Sequence, residues 1–151
     1  MLSRSGLYAL QAALYLAQRD RTVPVSAARM AADLAVPPEY LAKVLARMKG
    51  QGVVSSTRGY RGGYRLLQPP SQLTVEDVVR PFDRVRPLKR CLLGGTCDTE
   101  KPCAAHLTRL EWNEARTRIF QATHLTDLLP PLGVGENGAA AAQLLDSNQG
   151  K

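Results

Sequence analysis

Between residues 57 and 63 the chain reads Thr-Arg-Gly-Tyr-Arg-Gly-Gly. On one side stands Val53-Val54-Ser55-Ser56 and on the other Tyr64-Arg65-Leu66-Leu67, two short runs that read as strands. The three glycines allow positive φ and a tight turn, so the segment predicts a β-hairpin. Arg58, Arg61 and Arg65 make that hairpin cationic.

Three helices are expected ahead of it. Over residues 3–18, Leu7, Leu10, Leu14 and Ala17 recur at helical spacing, with Ser3 or Ser5 available as a cap. Thr22-Val23-Pro24-Val25 breaks this pattern. Ser26 then caps a second helix over residues 27–35, with Met30 and Leu34 four apart on one face. Val36-Pro37-Pro38 is a turn, and proline suits the first turn of a helix, so a third helix runs over residues 38–49. Gly50 and Gly52 stop it.

The third helix carries a stripe that must be buried (Leu41, Val44, Leu45 and Met48) and a second face with Tyr40, Lys43 and Arg47. A hydroxyl-bearing ring and two cations suit phosphates and base edges in a major groove. An ordinary solvated face would read the same way in isolation. Followed by a basic hairpin, it completes a winged helix-turn-helix pattern: a helix for the major groove, and a wing for the backbone or an adjacent minor groove.

Charge agrees. The chain has 151 residues with a net charge of +7. Residues 1–90 hold fifteen basic and six acidic side chains, whereas residues 91–151 hold five and seven. Residues 36–65 hold six basic and one acidic. Such asymmetry points to a polyanion-binding half and a half employed differently, although a solvated basic surface would give the same count; the winged pattern makes the polyanion double-stranded DNA. Aromatic residues are 5% of the chain, too few for a stacking platform for RNA. The length suits one compact domain with an appendage, and no apolar run is long enough to span a membrane.

Beyond the hairpin, Thr74 and Asp77 form a capping box for a short helix, Val75–Val79, ended by Pro81. Residues 84–103 read as irregular. A long helix is expected over residues 104–129, with Trp112, Ala115, Ile119, Ala122 and Leu125 or Leu129 on its apolar seam. A seam of this kind after a DNA-binding unit suits a symmetric dimer, although it would also suit packing on the chain's own core. The predicted organisation is thus a DNA-binding domain over 1–80, a cysteine-bearing loop over 81–103, a dimerisation helix over 104–129 and a flexible tail over 130–151. The fold class is mainly α with a small β-hairpin wing.

The three cysteines, Cys91, Cys97 and Cys103, fall within thirteen residues and are followed by His106. An odd number so confined argues against a secreted disulfide framework and for a reduced, cytoplasmic setting. Soft thiolates select zinc, copper(I) or iron–sulfur clusters. Structural zinc favours closer cysteine pairs, whereas five-residue gaps with Gly94-Gly95 suit encircling a larger cluster. A zinc site, a thiol switch and plain structural cysteines all remain open on spacing alone. An enzyme is not expected. Cys103 and His106 are the sole close nucleophile–base pair, no oxyanion site or phosphate loop accompanies them, and no small-molecule substrate is implied.

Taken together, the chain resembles the bacterial winged-helix regulators of the IscR/NsrR type from about residue 2 to 129. The resemblance rests on Ser5-Gly6-Leu7-Tyr8-Ala9, Tyr40-Leu41, Gly52-Val53-Val54-Ser55-Ser56, Arg58-Gly59, Gly62-Gly63-Tyr64 and the three-cysteine loop. It implies a homodimer on an imperfect palindrome, with one iron–sulfur cluster per subunit. In the IscR type this is 2Fe–2S, carried over here onto Cys91, Cys97, Cys103 and His106. The NsrR type implies 4Fe–4S, with an acidic ligand early in the first helix of the other subunit. This chain has Gly6-Leu7-Tyr8 there, which favours the IscR-like arrangement. The Glu-Gln pair of the IscR-type recognition helix is replaced by Ala42-Lys43, so operator preference does not transfer.

Overall fold

The computed structural model describes residues 2–83, 98 and 100–129. The expected tail over 130–151 and most of the cysteine loop, including Cys91 and Cys97, lie outside them. The architecture is mainly helical with one two-stranded antiparallel sheet.

Helix α1 spans Arg4–Ala17, and the Ser3 hydroxyl accepts from the Gly6 amide at its start. Its buried side is not the leucine stripe expected from spacing. Ala9, Ala12, Ala13, Tyr15 and Leu16 face inward, while Leu10, Leu14 and Ala17 are half-buried flanks. Alanines at the contact let α1 lie close to its neighbours, and it meets the third helix, the hairpin and the short fourth helix. Tyr15 donates to Asp33, which also pairs with Arg19 and Arg29. Burial, and then the Asp33 carboxylate, push the Tyr15 phenol above its ordinary range.

Helix α2, Ala27–Asp33, is capped by Ser26 as expected and stops two residues early. The stop is a Schellman turn, with Val36 N donating to Ala31 O and Ala35 N to Ala32 O. Ala35 takes the left-handed position, at φ 51°, which normally falls to glycine. Helix α3, Pro38–Gly50, ends in the same motif with Gly52 in that place, at φ 74°. Leu41, Val44, Leu45 and Met48 are buried, as the periodicity predicts.

Strands β1 (Val54–Thr57) and β2 (Gly63–Leu66) pair in the register Val54↔Leu66 to Thr57↔Gly63. Val25 adds a one-residue third strand, exchanging two backbone hydrogen bonds with Tyr64 at 2.9 and 2.8 Å. A Cβ on Gly63 would strike the Val25 backbone, so glycine there permits the approach.

Helix α4, Val75–Val79, has the full Thr74/Asp77 capping box. Helix α5 spans Ala104–Ala122, seven residues shorter than the sequence pattern suggests. The chain turns back at Thr123 because residues 123–125 pair beside residues 73–75. Val75 N donates to Thr123 O, Leu125 N to Leu73 O, and Thr74 faces His124. Leu125 therefore belongs to the chain's own core rather than to a helix seam.

Candidate nucleic-acid interface and cysteine centre

With Leu41, Val44, Leu45 and Met48 turned inward, α3 leaves Glu39, Ala42, Lys43, Ala46, Arg47 and Lys49 exposed. The three residues expected on the groove-facing side differ in how they are held. Tyr40 is half-buried, its hydroxyl 2.6 Å from that of Ser5 and its ring edge-on to Tyr8. Arg47 is exposed but lies over the Phe82 ring, 5.2 Å from its centre. Lys43 is exposed with no hydrogen bond or ion pair from its side chain among the described residues.

The wing presents its charges at a tight apex. Gly62 N donates to Gly59 O at 2.9 Å, Gly59 has φ 109°, and a Cβ on Gly62 would collide with the backbone of Thr57 to Gly59. Glycine at both positions thus lifts Tyr60 and Arg61 to the tip. Arg58 and Arg61 are exposed, and Tyr60 is fully exposed, at 105%. Arg65 is steadied on the strand by its Nε, which donates to the Ser55 hydroxyl at 3.2 Å.

Of the four expected cluster ligands, Cys103 and His106 are described. Cys103 is exposed at the N-cap of α5, and its carbonyl accepts from the His106 and Leu107 amides. His106, one turn on, is buried. No group of three or more metal-binding side chains occurs among the described residues. Cys91 and Cys97 are not among them.

Two residues that the sequence reading passed over sit at the other end of the cysteine loop. The Ser3 amide donates to both oxygens of Asp83, at 3.0 and 3.1 Å, and a Cβ on Gly6 would run into the same carboxylate. Arg116 of α5 donates to the Asp83 carbonyl at 3.4 Å. With Phe82 beneath Arg47, the described residues at the start of the loop touch α1, α3 and α5 together. A charged residue just after Pro81 was the available signal, but its partner lies eighty positions away.

Helix α5 is oriented unlike an ordinary surface helix. His106 is buried and Asn113, Arg116, Thr117 and Phe120 are partly covered, whereas Trp112 is 54% and Ile119 61% exposed. Leu107 and Leu110 are exposed on another flank.

Comparison with known proteins agrees with this layout. A protein of Aquifex aeolicus is 35% identical over 129 residues, covering 81% of this chain and 86% of its own. The HTH-type transcriptional regulator IscR of Klebsiella pneumoniae is 30% identical over 128 residues, covering 85% and 78%. The structure of CymR, the global cysteine regulator of B. subtilis, superposes with a TM-score of 0.70 at 24% identity, covering 85% of this chain and 95% of that one. The last likeness concerns the fold alone. The family model Rrf2, described as an iron-dependent transcriptional regulator, matches residues 2–131. These are regulators that act on DNA rather than enzymes, in line with the sequence expectation. The chain is a member of the Rrf2 family of transcriptional regulators.

Proposed function

We propose that this chain is a homodimeric cytoplasmic repressor whose grip on a palindromic operator is set by an iron–sulfur cluster reporting iron, redox or nitric oxide status. Lys43 and Arg47, with Tyr40 at their edge, meet the major groove. Arg58, Arg61 and Arg65 meet phosphates or an adjacent minor groove. Each phosphate neutralised steepens the fall of affinity with salt.

The cluster, 2Fe–2S in preference to 4Fe–4S, is held by Cys91, Cys97, Cys103 and His106. The donor chemistry fits: three soft thiolates and one imidazole, with Cys103 open and His106 buried at the same helix start. When bound, the group supplies a ligand sphere that oxidants, nitric oxide or iron loss can alter. The chain's own part is to carry that change elsewhere. The observation that supports this is the Phe82–Asp83 junction, adjoining the cysteine loop and touching α1, α3 and α5 at once. A loop that tightens or relaxes would shift Phe82 under Arg47.

A second copy of the chain is the natural cover for Trp112 and Ile119, since a 19-residue helix roughly 28 Å long can run along its symmetry mate. The exposed Cys103 keeps one other reading alive, a thiol switch without a cluster.

Anaerobic isolation tests the assignment. A brown protein with iron and sulfide in equal amounts, colourless after Cys91→Ser or Cys97→Ser, is the expected result. A colourless wild-type protein holding zinc, or reduced thiols alone, would replace the cluster with a zinc-stabilised or thiol-switched regulator.

A further inference from the structure

The open face of α3 contains one residue whose charge opposes a polyanion, although a carboxylate in the first turn also suits the helix dipole. Glu39 is exposed in the first turn, four residues before Lys43, and carries the single negative charge in residues 36–65. Among the described residues no hydrogen bond or ion pair engages its side chain, not even one to Lys43. Resting on the reading of α3 as the helix that enters the major groove, we propose that Glu39 is a specificity-determining residue that selects cytosine.

The argument follows from what each neighbour is free to do. Tyr40 is tied to Ser5 and Tyr8, and Arg47 lies over Phe82. Glu39 and Lys43 are the long polar side chains left in the first half of the helix, with Lys49 at its far end. Ala42 and Ala46 lie on the same exposed side, so nothing bulky holds the backbone away from base edges. In helix-turn-helix proteins the N-terminal residues of the recognition helix reach those edges.

A carboxylate accepts hydrogen bonds and donates none. Guanine and thymine offer it acceptors in the major groove, and adenine sets an acceptor beside its donor. Cytosine offers its amino group. Beside phosphates the same charge is repelled, so Glu39 weakens binding wherever cytosine is absent. Lys43 suits guanine O6 and N7. Four residues advance a helix by about 6 Å, so that guanine falls within about two base pairs of the cytosine.

The test is selection by the full-length protein from duplexes with about 20 randomised base pairs, comparing wild type, Glu39→Gln, Glu39→Ala and Lys43→Ala. Wild type is expected to enrich a cytosine at one fixed place in each half-site. Glu39→Ala should lose roughly tenfold of that preference while binding unrelated duplex as well or better. Glu39→Gln, nearly isosteric, should move the preference toward adenine, the base glutamine pairs with in two places. Lys43→Ala should leave the cytosine in place and relax the neighbouring guanine. An unchanged motif for Glu39→Ala, or a wild-type motif without that cytosine, overturns the assignment to Glu39 while leaving the DNA-binding reading intact. A wild-type protein that enriches no motif overturns both.

Discussion

The winged unit and α5 solve the same problem in opposite ways. In the winged unit apolar side chains turn inward: Leu41, Leu45, Met30 and Met48 are fully buried, and the charges of α3 and the wing point out. In α5 a histidine is buried and an asparagine and an arginine are partly covered, while a tryptophan and an isoleucine lie in the open. The first buries its apolar side chains in one core, which Leu125 from beyond α5 also joins. The second leaves large apolar side chains exposed among the described residues, a surface that suits a partner. The difference shows that a stripe of apolar residues at helical spacing says that something will be buried, and not against what.

The comparison makes its largest prediction at paired positions. Leu45→Ala removes a fully buried side chain and should cost about 2–5 kcal/mol of stability in chemical denaturation. Trp112→Ser should barely change the unfolding of a subunit at low concentration, yet weaken self-association by roughly 30-fold or more in sedimentation equilibrium. If Trp112→Ser instead unfolds the isolated subunit, α5 packs inward and the contrast disappears.

The junction between the two regions comes next. Asp83→Ala removes the acceptor for the Ser3 amide and should lower stability by about 1 kcal/mol, read as a shifted melting midpoint. Gly6→Ala should reproduce part of that loss, because its methyl displaces the same carboxylate. An additive double variant would mean the two positions do not share one interaction.

The two Schellman turns sharpen the picture within the winged unit. Ala35→Gly relieves a left-handed alanine and should stabilise by about 0.5–1 kcal/mol, whereas Gly52→Ala should destabilise by a similar amount. Changes of the same sign at both sites would show that φ is not what decides them.

The smallest effect concerns Glu76 of α4, whose carboxyl is raised by burial, with Arg116 of α5 acting the other way. A raised value means the folded state disfavours the ionised form. Stability is therefore lost as pH climbs from the ordinary value of about 4.5 through the raised one. Glu76→Gln should stabilise slightly at neutral pH, solvent screening keeping the gain small, and the gain should vanish below pH 4.5 in matched melting curves.

Much of the winged unit is legible in the sequence because its signals are local. Ser3, Ser26 and Thr74 cap helices where capping chemistry places them, and Gly59 and Gly62 turn the wing. Periodicity finds the buried side of α3 but misjudges α1, where alanines take the core and leucines the flank. Three features escape because their partners are distant or their meaning runs against the charge count. Val25 joins the wing from thirty-nine positions away, Asp83 reaches Ser3 across eighty, and Glu39 reads as a deduction from the local charge. The end of α5 at Ala122 escapes for the same reason, since residues 73–75 set it.

The proposed coupling of the cysteine loop to the surface read as DNA-facing is tested most directly by one titration. A single operator duplex, taken from the wild-type selection, is titrated anaerobically at fixed salt with cluster-loaded protein and with the same preparation after cluster removal. The account predicts affinities at least fivefold apart, the lower end of an ordinary coupling energy, with operator DNA shifting the rate of cluster loss in the corresponding sense. Equal affinities for the two forms, with cluster loss indifferent to DNA, would contradict it.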